Sequence, residues 1–235
     1  MIDIHSHILP GVDDGARTLT DSVDLVRELI ESGVTTIVAT PHYVAETNFV
    51  SPWKENLKKL EELKRVLNDE KLEVEIYLGN EIYIDRNIER LIRTRKITTI
   101  AESKYLLVEF PLNEEFPNYR DILMELMNNG YKVILAHPER YGITQKDFGL
   151  LEDLFKMGVL MQCNLGSIVG KYGREAKKVL KKLAKNKMIF AFGSDIHHCY
   201  GADYWILAQR KLAKYYDENE LKKVLVVNPK KMITN

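Results

Sequence analysis

Short apolar runs alternate with longer amphipathic runs along the chain, and this alternation is the feature that most limits its possible folds. Seven apolar runs have the length and composition of strands, and a segment with helical periodicity follows each of them. Such alternation predicts a parallel sheet covered by helices, because parallel neighbours need a long crossover connection. The predicted strands are Ile2–His5, Thr36–Ala39, Val74–Leu78, Tyr105–Glu109, Lys132–Ala136, Val159–Cys163 and Ile189–Phe192.

The helical segments complete seven strand-then-helix units with no long linker between them. They are predicted at Leu19–Ser32, Pro52–Leu67, Arg86–Thr94, Tyr119–Asn128, Asp147–Met157, Arg174–Lys185, Tyr204–Tyr215 and Glu218–Val226. The chain has 235 residues, and a single α/β barrel takes about 250. We therefore expect one domain over residues 1–235 and a closed or nearly closed barrel. A doubly wound open sheet is the alternative, and periodicity does not separate the two.

Composition excludes several classes of function. The 34 basic residues balance 34 acidic ones, so the net charge of zero argues against a nucleic-acid binder. No apolar run approaches the ~18 residues of a membrane span, which argues against an integral membrane protein. The first residues lack the basic and apolar regions of a secretory signal, so we expect a cytoplasmic protein. Cys163 and Cys199 are too few for a disulfide framework or a thiolate metal cage.

Side chains that bind metals follow six of the seven predicted strands. The carboxyl ends of parallel strands meet at one rim, where barrel enzymes carry their reactive groups. His5 and His7 stand two residues apart, so both imidazoles can reach one ion. The other strand ends carry His42, Glu81, Glu109, His137, and the pair Asp195 and His197. Histidines with unrelated structural roles would not gather at the same end of successive strands, so the pattern predicts a metal site.

The ligand types indicate the metals and the chemistry. Imidazoles and carboxylates without thiolate suit Mn, Fe, Zn or Mg. Seven or eight ligands are too many for one ion, so two or three ions are predicted. Clustered ions suit hydrolysis, because they activate a hydroxide and neutralise charge on a phosphoryl or carbonyl oxygen. The sixth strand alone ends without such a ligand; Asn164 and Ser167 there bind substrate or support neighbouring groups, unless they only form a turn.

These motifs resemble those of a known superfamily. Residues 1–15, Met-Ile-Asp-Ile-His-Ser-His-Ile-Leu-Pro-Gly-Val-Asp-Asp-Gly, resemble the first motif of the polymerase-and-histidinol-phosphatase (PHP) superfamily. Further matches are Ala39–His42, Gly79 with Glu81, Val108–Pro111, Ala136–Tyr141, Gln162 with Asn164, Gly166–Ser167, Gly170 and Gly193–His197. Within the superfamily, the motif sequences are similar to those of manganese-dependent protein-tyrosine phosphatases from bacterial capsule and exopolysaccharide loci. Tyr43 stands where many relatives have a second histidine, so the Tyr43–Pro52 stretch affects the substrate mouth.

The resemblance implies the PHP fold, a distorted (β/α)7 TIM-like barrel, with a trinuclear centre. By position, the first ion would be held by His5, His7, Glu81 and Asp195, the second by Glu81, Glu109 and His137, and the third by Asp14, His42 and His197. The implied cofactor is Mn²⁺, with Fe, Zn or Mg as alternatives. The implied reaction is hydrolysis of phosphotyrosine on a partner protein, a membrane-associated bacterial tyrosine kinase of polysaccharide synthesis. A phosphatase of a small metabolite such as histidinol phosphate is the alternative.

Residues beside the ligands have both functional and structural interpretations. Arg140 is the predicted phosphate contact, because a guanidinium fork matches phosphate oxygens, and a rim salt bridge is the alternative. No Cys-x5-Arg loop follows Cys163, so a cysteinyl-phosphate route is not expected. Tyr43 and Tyr141 are candidates to flank a phenyl ring, although packing roles are favoured. The basic run Lys171–Lys187 is interpreted as a solvated helix face, with an acidic phosphopeptide or an anionic membrane surface as alternative partners.

Overall fold

Strands and helices alternate along the chain, as predicted, in a computed structural model that describes residues 1–113 and 117–234. The strands are β1 (Ile2–Ser6), β2 (Thr36–Ala39), β3 (His42–Tyr43), β4 (Glu75–Leu78), β5 (Glu81–Tyr83), β6 (Tyr105–Glu109), β7 (Lys132–Ala136), β8 (Leu160–Asn164) and β9 (Ile189–Gly193). The helices are α1 (Leu19–Glu31), α2 (Trp53–Asp69), α3 (Ile88–Arg93), α4 (Tyr119–Asn128), α5 (Gly142–Lys146), α6 (Gly149–Lys156), α7 (Leu165–Val169), α8 (Gly173–Lys185), α9 (Ala202–Leu212), α10 (Glu218–Lys222) and α11 (Asn228–Ile233). Short 3₁₀ turns lie at Ile100–Glu102 and Pro138–Arg140, and a π-helical segment lies at Lys223–Val227.

The strands pair in parallel and form two sheets. One sheet has the order β1-β2-β4, and the other has the order β3-β5-β6-β7-β8-β9. All strand pairs in both sheets are parallel. The predicted α/β fold with a parallel arrangement is therefore confirmed.

Two of the predicted strands, β2 and β4, are each followed after a two-residue break by a second short strand that was not predicted, and these breaks separate the sheets. Thr40 and Pro41 divide β2 from β3, and Gly79 and Asn80 divide β4 from β5. Pro41 has no N–H to offer a strand neighbour. Beyond the breaks the two chain segments still pair with each other, now as β3 with β5, which places His42 in register with Glu81, and β5 also pairs with β6.

The first and last strands also meet. The Asp195 N–H donates to the His5 carbonyl at 2.9 Å, and the His7 N–H donates to the Ile196 carbonyl at 3.1 Å. An isolated parallel bridge joins Ser6 to Ile196. Within the described ranges these contacts do not make one continuous sheet, so in place of the expected closed or nearly closed barrel there are two parallel sheets whose outer strands, β1 and β9, touch.

Local sequence explains where the helices begin. Thr18 caps α1, because its side chain accepts from the Asp21 N–H while the Asp21 carboxylate accepts from the Thr18 N–H. The predicted Asp147–Met157 helix starts later, at Gly149, because the Asp147 carboxylate accepts from the Gly149 N–H. In the part of the chain that the structure describes, no helix has the length and apolar character needed to cross a bilayer.

Apolar side chains cover both faces of the strands. Leu106 and Val108 of β6 belong to the larger buried cluster, which includes residues from the helices. Tyr105 and Leu107 of the same strand belong to a smaller cluster with Ile4 and residues of the other strands. This alternation follows from the period of two in a strand, and burial on both faces is typical of parallel sheets.

Candidate metal centre

The predicted ligand residues come together at the carboxyl ends of the strands. Three groups of residues could each hold an ion. Within each group, every residue has one ligand atom that lies within 4.8 Å of the ligand atoms of the other members. The groups are His5, His7, Glu81 and Asp195; His7, Asp14, His42 and His197; and His42, Glu81 and Glu109. His137 lies beside the third group, with Nε2 2.8 Å from Glu81 Oε1 and 3.5 Å from Glu109 Oε1.

These groups match the predicted ligand sets closely. The first group has the same four members as the set predicted for the first ion. The second group contains the set predicted for the third ion together with His7. The third group contains Glu81 and Glu109 from the set predicted for the second ion, with His42 in the place of His137. The arrangement brings the residues together, and their individual roles as ligands stay predictions.

Glu81 lies between four imidazoles. Its Oε2 atom is 3.0 Å from His5 Nε2, 3.2 Å from His7 Nε2 and 3.2 Å from His42 Nδ1. Its Oε1 atom is 2.8 Å from His137 Nε2. The side chain is fully buried, and it occupies this position because the strand restarts at Glu81 after the break at Gly79 and Asn80.

A chain of side-chain amides fixes the orientation of His5. Asn164 Nδ2 donates to Asp195 Oδ2 at 2.6 Å, and Gln162 Nε2 donates to Asn164 Oδ1 at 2.9 Å. The remaining amide oxygen, Gln162 Oε1, is 2.8 Å from His5 Nδ1. An ionised Asp195 carboxylate only accepts hydrogen bonds, so the amide nitrogen of Asn164 must face it. The amide oxygen of Asn164 then faces Gln162, and the amide oxygen of Gln162 faces His5, so His5 Nδ1 carries the proton. In neutral His5, the lone pair therefore lies on Nε2, toward Glu81.

Asp13 orients His7 in the same way. His7 Nδ1 donates to Asp13 Oδ2 at 2.7 Å, which leaves Nε2 facing the site, 3.2 Å from His5 Nε2. Burial opposes ionisation of Asp13, but the His7 charge and hydrogen bonds outweigh it and lower the pKa of Asp13 to about 2. Burial also disfavours charged His7, yet Asp13, Asp195 and Glu81 raise its pKa well above the ordinary value. Positive charge on His7 is therefore stabilised by the carboxylates around it.

The buried charges fit a metal centre. Burial and the nearby charge of Glu81 raise the pKa of Glu109 to about 9. Burial and the Arg140 charge lower the pKa of His137 to about 4. Glu81 Oε2 and His42 Nδ1 are buried and make no hydrogen bond of good geometry. Divalent cations among these groups would balance the carboxylates and take up the unpartnered lone pairs, so the donor set fits such ions.

Two glycines allow the backbone to pass close behind His5 and His7. A Cβ atom built on Gly193 would lie 2.7 Å from His5 Cβ, a distance that real Cβ atoms do not show. A Cβ on Gly15 would overlap the His7 carbonyl oxygen. Neither glycine has a positive φ, so close approach explains the need for glycine at both positions.

Arg140 lies at the edge of the centre. Its Nη1 atom donates to Asp195 Oδ2 at 2.7 Å, and its guanidinium lies 4.3 Å from the centre of the Tyr172 ring. The Tyr172 hydroxyl donates to the same Asp195 oxygen at 3.1 Å. The salt bridge predicted as the alternative role of Arg140 is therefore present, and the Arg140 side chain also lines the cavity of the site.

The cavity above the ligands has a volume of about 520 Å³, and its mouth differs from the prediction. Tyr141 is fully buried; its hydroxyl donates to the Ala136 carbonyl, so the packing interpretation is confirmed. Tyr43 is also buried, and neither tyrosine lines the cavity. Phe49 and Tyr83 line it instead. Phe49 lies in the stretch that the sequence marked as affecting the mouth, but no motif singled it out.

Cys163 lies in the apolar core. It is fully buried, and burial raises the pKa of its thiol well above the ordinary value. Such a thiol is a poor nucleophile. The prediction that no cysteinyl-phosphate loop operates here agrees with this position.

Fold and site together define a class: a parallel α/β protein with a cluster of imidazoles and carboxylates at the carboxyl ends of its strands. Within that class, the chain belongs to the capsular polysaccharide synthesis family CpsB/CapC, whose model matches residues 1–234. It is 35% identical to CapC of Staphylococcus aureus over 239 residues, covering 100% of this chain and 92% of that protein. It is 33% identical to the tyrosine-protein phosphatase YwqE of Bacillus subtilis over 199 residues, covering 84% and 78%.

A solved structure is similar over nearly the whole chain. It comes from the crystal structures of YwqE from Bacillus subtilis and CpsB from Streptococcus pneumoniae, described as metal-dependent tyrosine phosphatases. The TM-score is 0.88 at 28% identity, covering 99% of this chain and 94% of that one. The family resemblance drawn from the motifs is confirmed.

Proposed function

We propose that this chain is a metal-dependent protein-tyrosine phosphatase that acts on a partner protein of capsular polysaccharide synthesis. One observation carries the proposal: three ligand groups share members around the buried Glu81, and Arg140 lines the cavity above them. Metal clusters with an adjacent guanidinium suit phosphate esters, whose several negative oxygens need more than one cation. The relatives named as tyrosine-protein phosphatases support phosphotyrosine over histidinol phosphate as the substrate.

The nine predicted ligands would hold two or three ions. They are His5, His7, Asp14, His42, Glu81, Glu109, His137, Asp195 and His197. Mn²⁺ is the proposed metal, because the mixed nitrogen and oxygen donors suit it, while Fe, Zn and Mg remain outcomes of the test. When bound, the ions supply the positive charge that makes a water nucleophilic at neutral pH and neutralises phosphate oxygens.

The chain's own residues bind and orient the substrate. Arg140 binds a phosphate oxygen through the fork of its guanidinium, which Asp195 and Tyr172 hold in place. The leaving group is the tyrosine side-chain oxygen, whose reference pKa is about 10, so its departure needs little help from a general acid. No protein nucleophile is required, and Cys163 is buried away from the cavity.

The partner is proposed to be a membrane-associated bacterial tyrosine kinase, with the phosphatase itself in the cytoplasm. The family's description, capsular polysaccharide synthesis, supports this setting. We also propose that residues 1–235 form one domain and that the two sheets make up a distorted (β/α)7 barrel. The contacts of His5 with Asp195 and of His7 with Ile196, between the first and last strands, support both proposals.

The test compares substrates and metals on chelator-stripped protein. The protein is refilled with Mn, Fe, Zn or Mg and given a phosphotyrosine peptide or histidinol phosphate. We expect the peptide to be preferred, activity to return with one metal, and His7→Ala to abolish it. His198→Ala is the matched control, because His198 is exposed and belongs to none of the three groups. Preference for histidinol phosphate would overturn the substrate assignment and leave the metal centre intact.

A further inference from the structure

The mouth of the cavity carries apolar side chains that metal binding does not require. Val44, Phe49, Tyr83 and Leu112 line the cavity beside the candidate ligands. All four are half-buried, so each presents part of its surface to the cavity. We call these four side chains the apolar wall. A site that bound only inorganic phosphate or a polar ester would gain nothing from such a surface.

Phe49 is held in place by its own loop. The Val44 N–H donates to the Phe49 carbonyl at 2.8 Å, which closes the loop at its base. Within the loop, Thr47 Oγ1 donates to the Val44 carbonyl at 2.7 Å and accepts from the Phe49 N–H at 3.1 Å. The Phe49 ring stacks on His42, with ring centres 5.9 Å apart and planes 19° apart. Phe49 therefore meets the cavity from a hydrogen-bonded loop, with its ring against a candidate metal ligand.

Tyr83 reaches the cavity from the strand that carries Glu81. The two residues are separated by one position in β5, so their side chains leave the same face of the strand. Tyr83 is also in register with Glu109 of β6. Tyr83 therefore places an aromatic ring near two candidate carboxylate ligands, Glu81 and Glu109.

We propose that the apolar wall, through Phe49 and Tyr83, makes the site selective for phosphate esters of aromatic alcohols. The inference rests on the proposed function and deepens it. In an aryl phosphate the ring is attached directly to the ester oxygen, so a phosphate at the metal centre brings the ring to the wall. Aromatic rings gain energy from stacking beyond the area that they bury. A phosphoserine side chain has no ring to offer, and the wall contributes nothing to its binding.

Binding of phosphonates, which are not hydrolysed, tests the wall without turnover. Phenylphosphonate and methylphosphonate are titrated into metal-loaded protein by calorimetry. We expect wild type to prefer the phenyl compound, and Phe49→Ala to weaken phenylphosphonate binding about three- to tenfold while leaving methylphosphonate unchanged. Val50→Ala is the matched control, since Val50 is the next residue of the same stretch, is exposed and does not line the cavity. Metal content is measured for each variant, because Phe49 also touches His42.

Kinetics on peptides of one sequence provide the second readout. For Phe49→Ala we expect a raised KM and a nearly unchanged kcat on the phosphotyrosine peptide, with no change in KM on the phosphoserine peptide. Two results for Phe49→Ala would contradict the selectivity role of the apolar wall. One is equally weakened binding of both phosphonates, and the other is a loss of metal large enough to explain the weaker binding of phenylphosphonate. Equal wild-type affinity for the two phosphonates would overturn that role as well, and the proposed function would stand. If wild type binds neither phosphonate, the result contradicts the proposed function and, with it, the selectivity role of the apolar wall.

Discussion

Gln162 places its side-chain oxygen 2.8 Å from Nδ1 of His5, so an amide on β8 determines which nitrogen of an imidazole on β1 carries the proton. β8 is the strand whose end lacks a metal-type ligand. Its contribution is to orient candidate ligands that other strands supply, since Asn164 also donates to Asp195. Partners of this kind raise metal affinity by holding the ligand in its binding orientation.

Replacing Gln162 should therefore weaken metal binding without removing a ligand. In Gln162→Leu, His5 Nδ1 loses its acceptor, and the ring is no longer fixed with Nε2 toward Glu81. We expect the metal affinity to fall by about 10- to 100-fold, measured by competition with a chelator. Gln209→Leu removes a hydrogen bond to Ser32 far from the site and should keep wild-type affinity. Unchanged affinity in Gln162→Leu would show that Gln162 is only a packing residue.

Glu81 belongs to two of the three ligand groups, so its loss should cost more than one ion. In Glu81→Ala we expect the metal content after desalting, measured by atomic emission, to fall to well under half that of wild type. Glu75→Ala serves as control, because Glu75 begins the neighbouring strand piece and is exposed. Wild-type metal content in Glu81→Ala would contradict the ligand assignment.

Gly193→Ala should disturb His5 through the backbone. The added Cβ would lie 2.7 Å from His5 Cβ, so His5 or the strand must move. Overpacking of this kind costs about 1–3 kcal/mol, and we expect the free energy of unfolding in urea to fall by that amount, with weaker metal binding. At Gly142 the nearest atom to a new Cβ is 3.6 Å away, so Gly142→Ala should cost nothing measurable. Equal stability of the two variants would argue against the close approach at Gly193.

Metal removal should lower the melting temperature. Ions bound only to the folded state, at about 100 times their dissociation constant, stabilise it by about 2.7 kcal/mol. For a chain of 235 residues, that corresponds to about 5–10 °C in Tm. Scanning calorimetry with and without chelator measures the shift, and His7→Ala should show much less of it. Identical melting of wild type in the two conditions would mean that the groups bind no ion tightly.

The sequence predicted the order of strands and helices well, because apolar runs and helical periodicity are local signals. It did not predict the breaks at Thr40-Pro41 and Gly79-Asn80. Before the breaks the sheet continues from β2 to β1, and beyond them it continues from β5 to β6, a difference that no local pattern reports. The same limit applies to the closure of the barrel, which was expected to be complete or nearly so.

The candidate ligands were predicted because parallel strand ends meet at one rim, which needs no detailed geometry. The contact between Gln162 and His5 joins residues 157 positions apart, so it became visible only in three dimensions. Phe49 was missed for another reason. It lies in the loop after β3, beyond the end of the predicted strand Thr36–Ala39, and a single aromatic residue in a loop carries no signal of function.

The contact between the first and last strands has a consequence for biosynthesis. His5 and His7 are synthesised some 190 residues before Asp195 and His197, which share their candidate ligand groups, because the chain is made from the amino end. Until then the two early imidazoles have no complete set of co-ligands. With the proposed ligand set, the centre would be completed only after residue 195 is translated, and a polypeptide that stops earlier would lack Asp195 and His197.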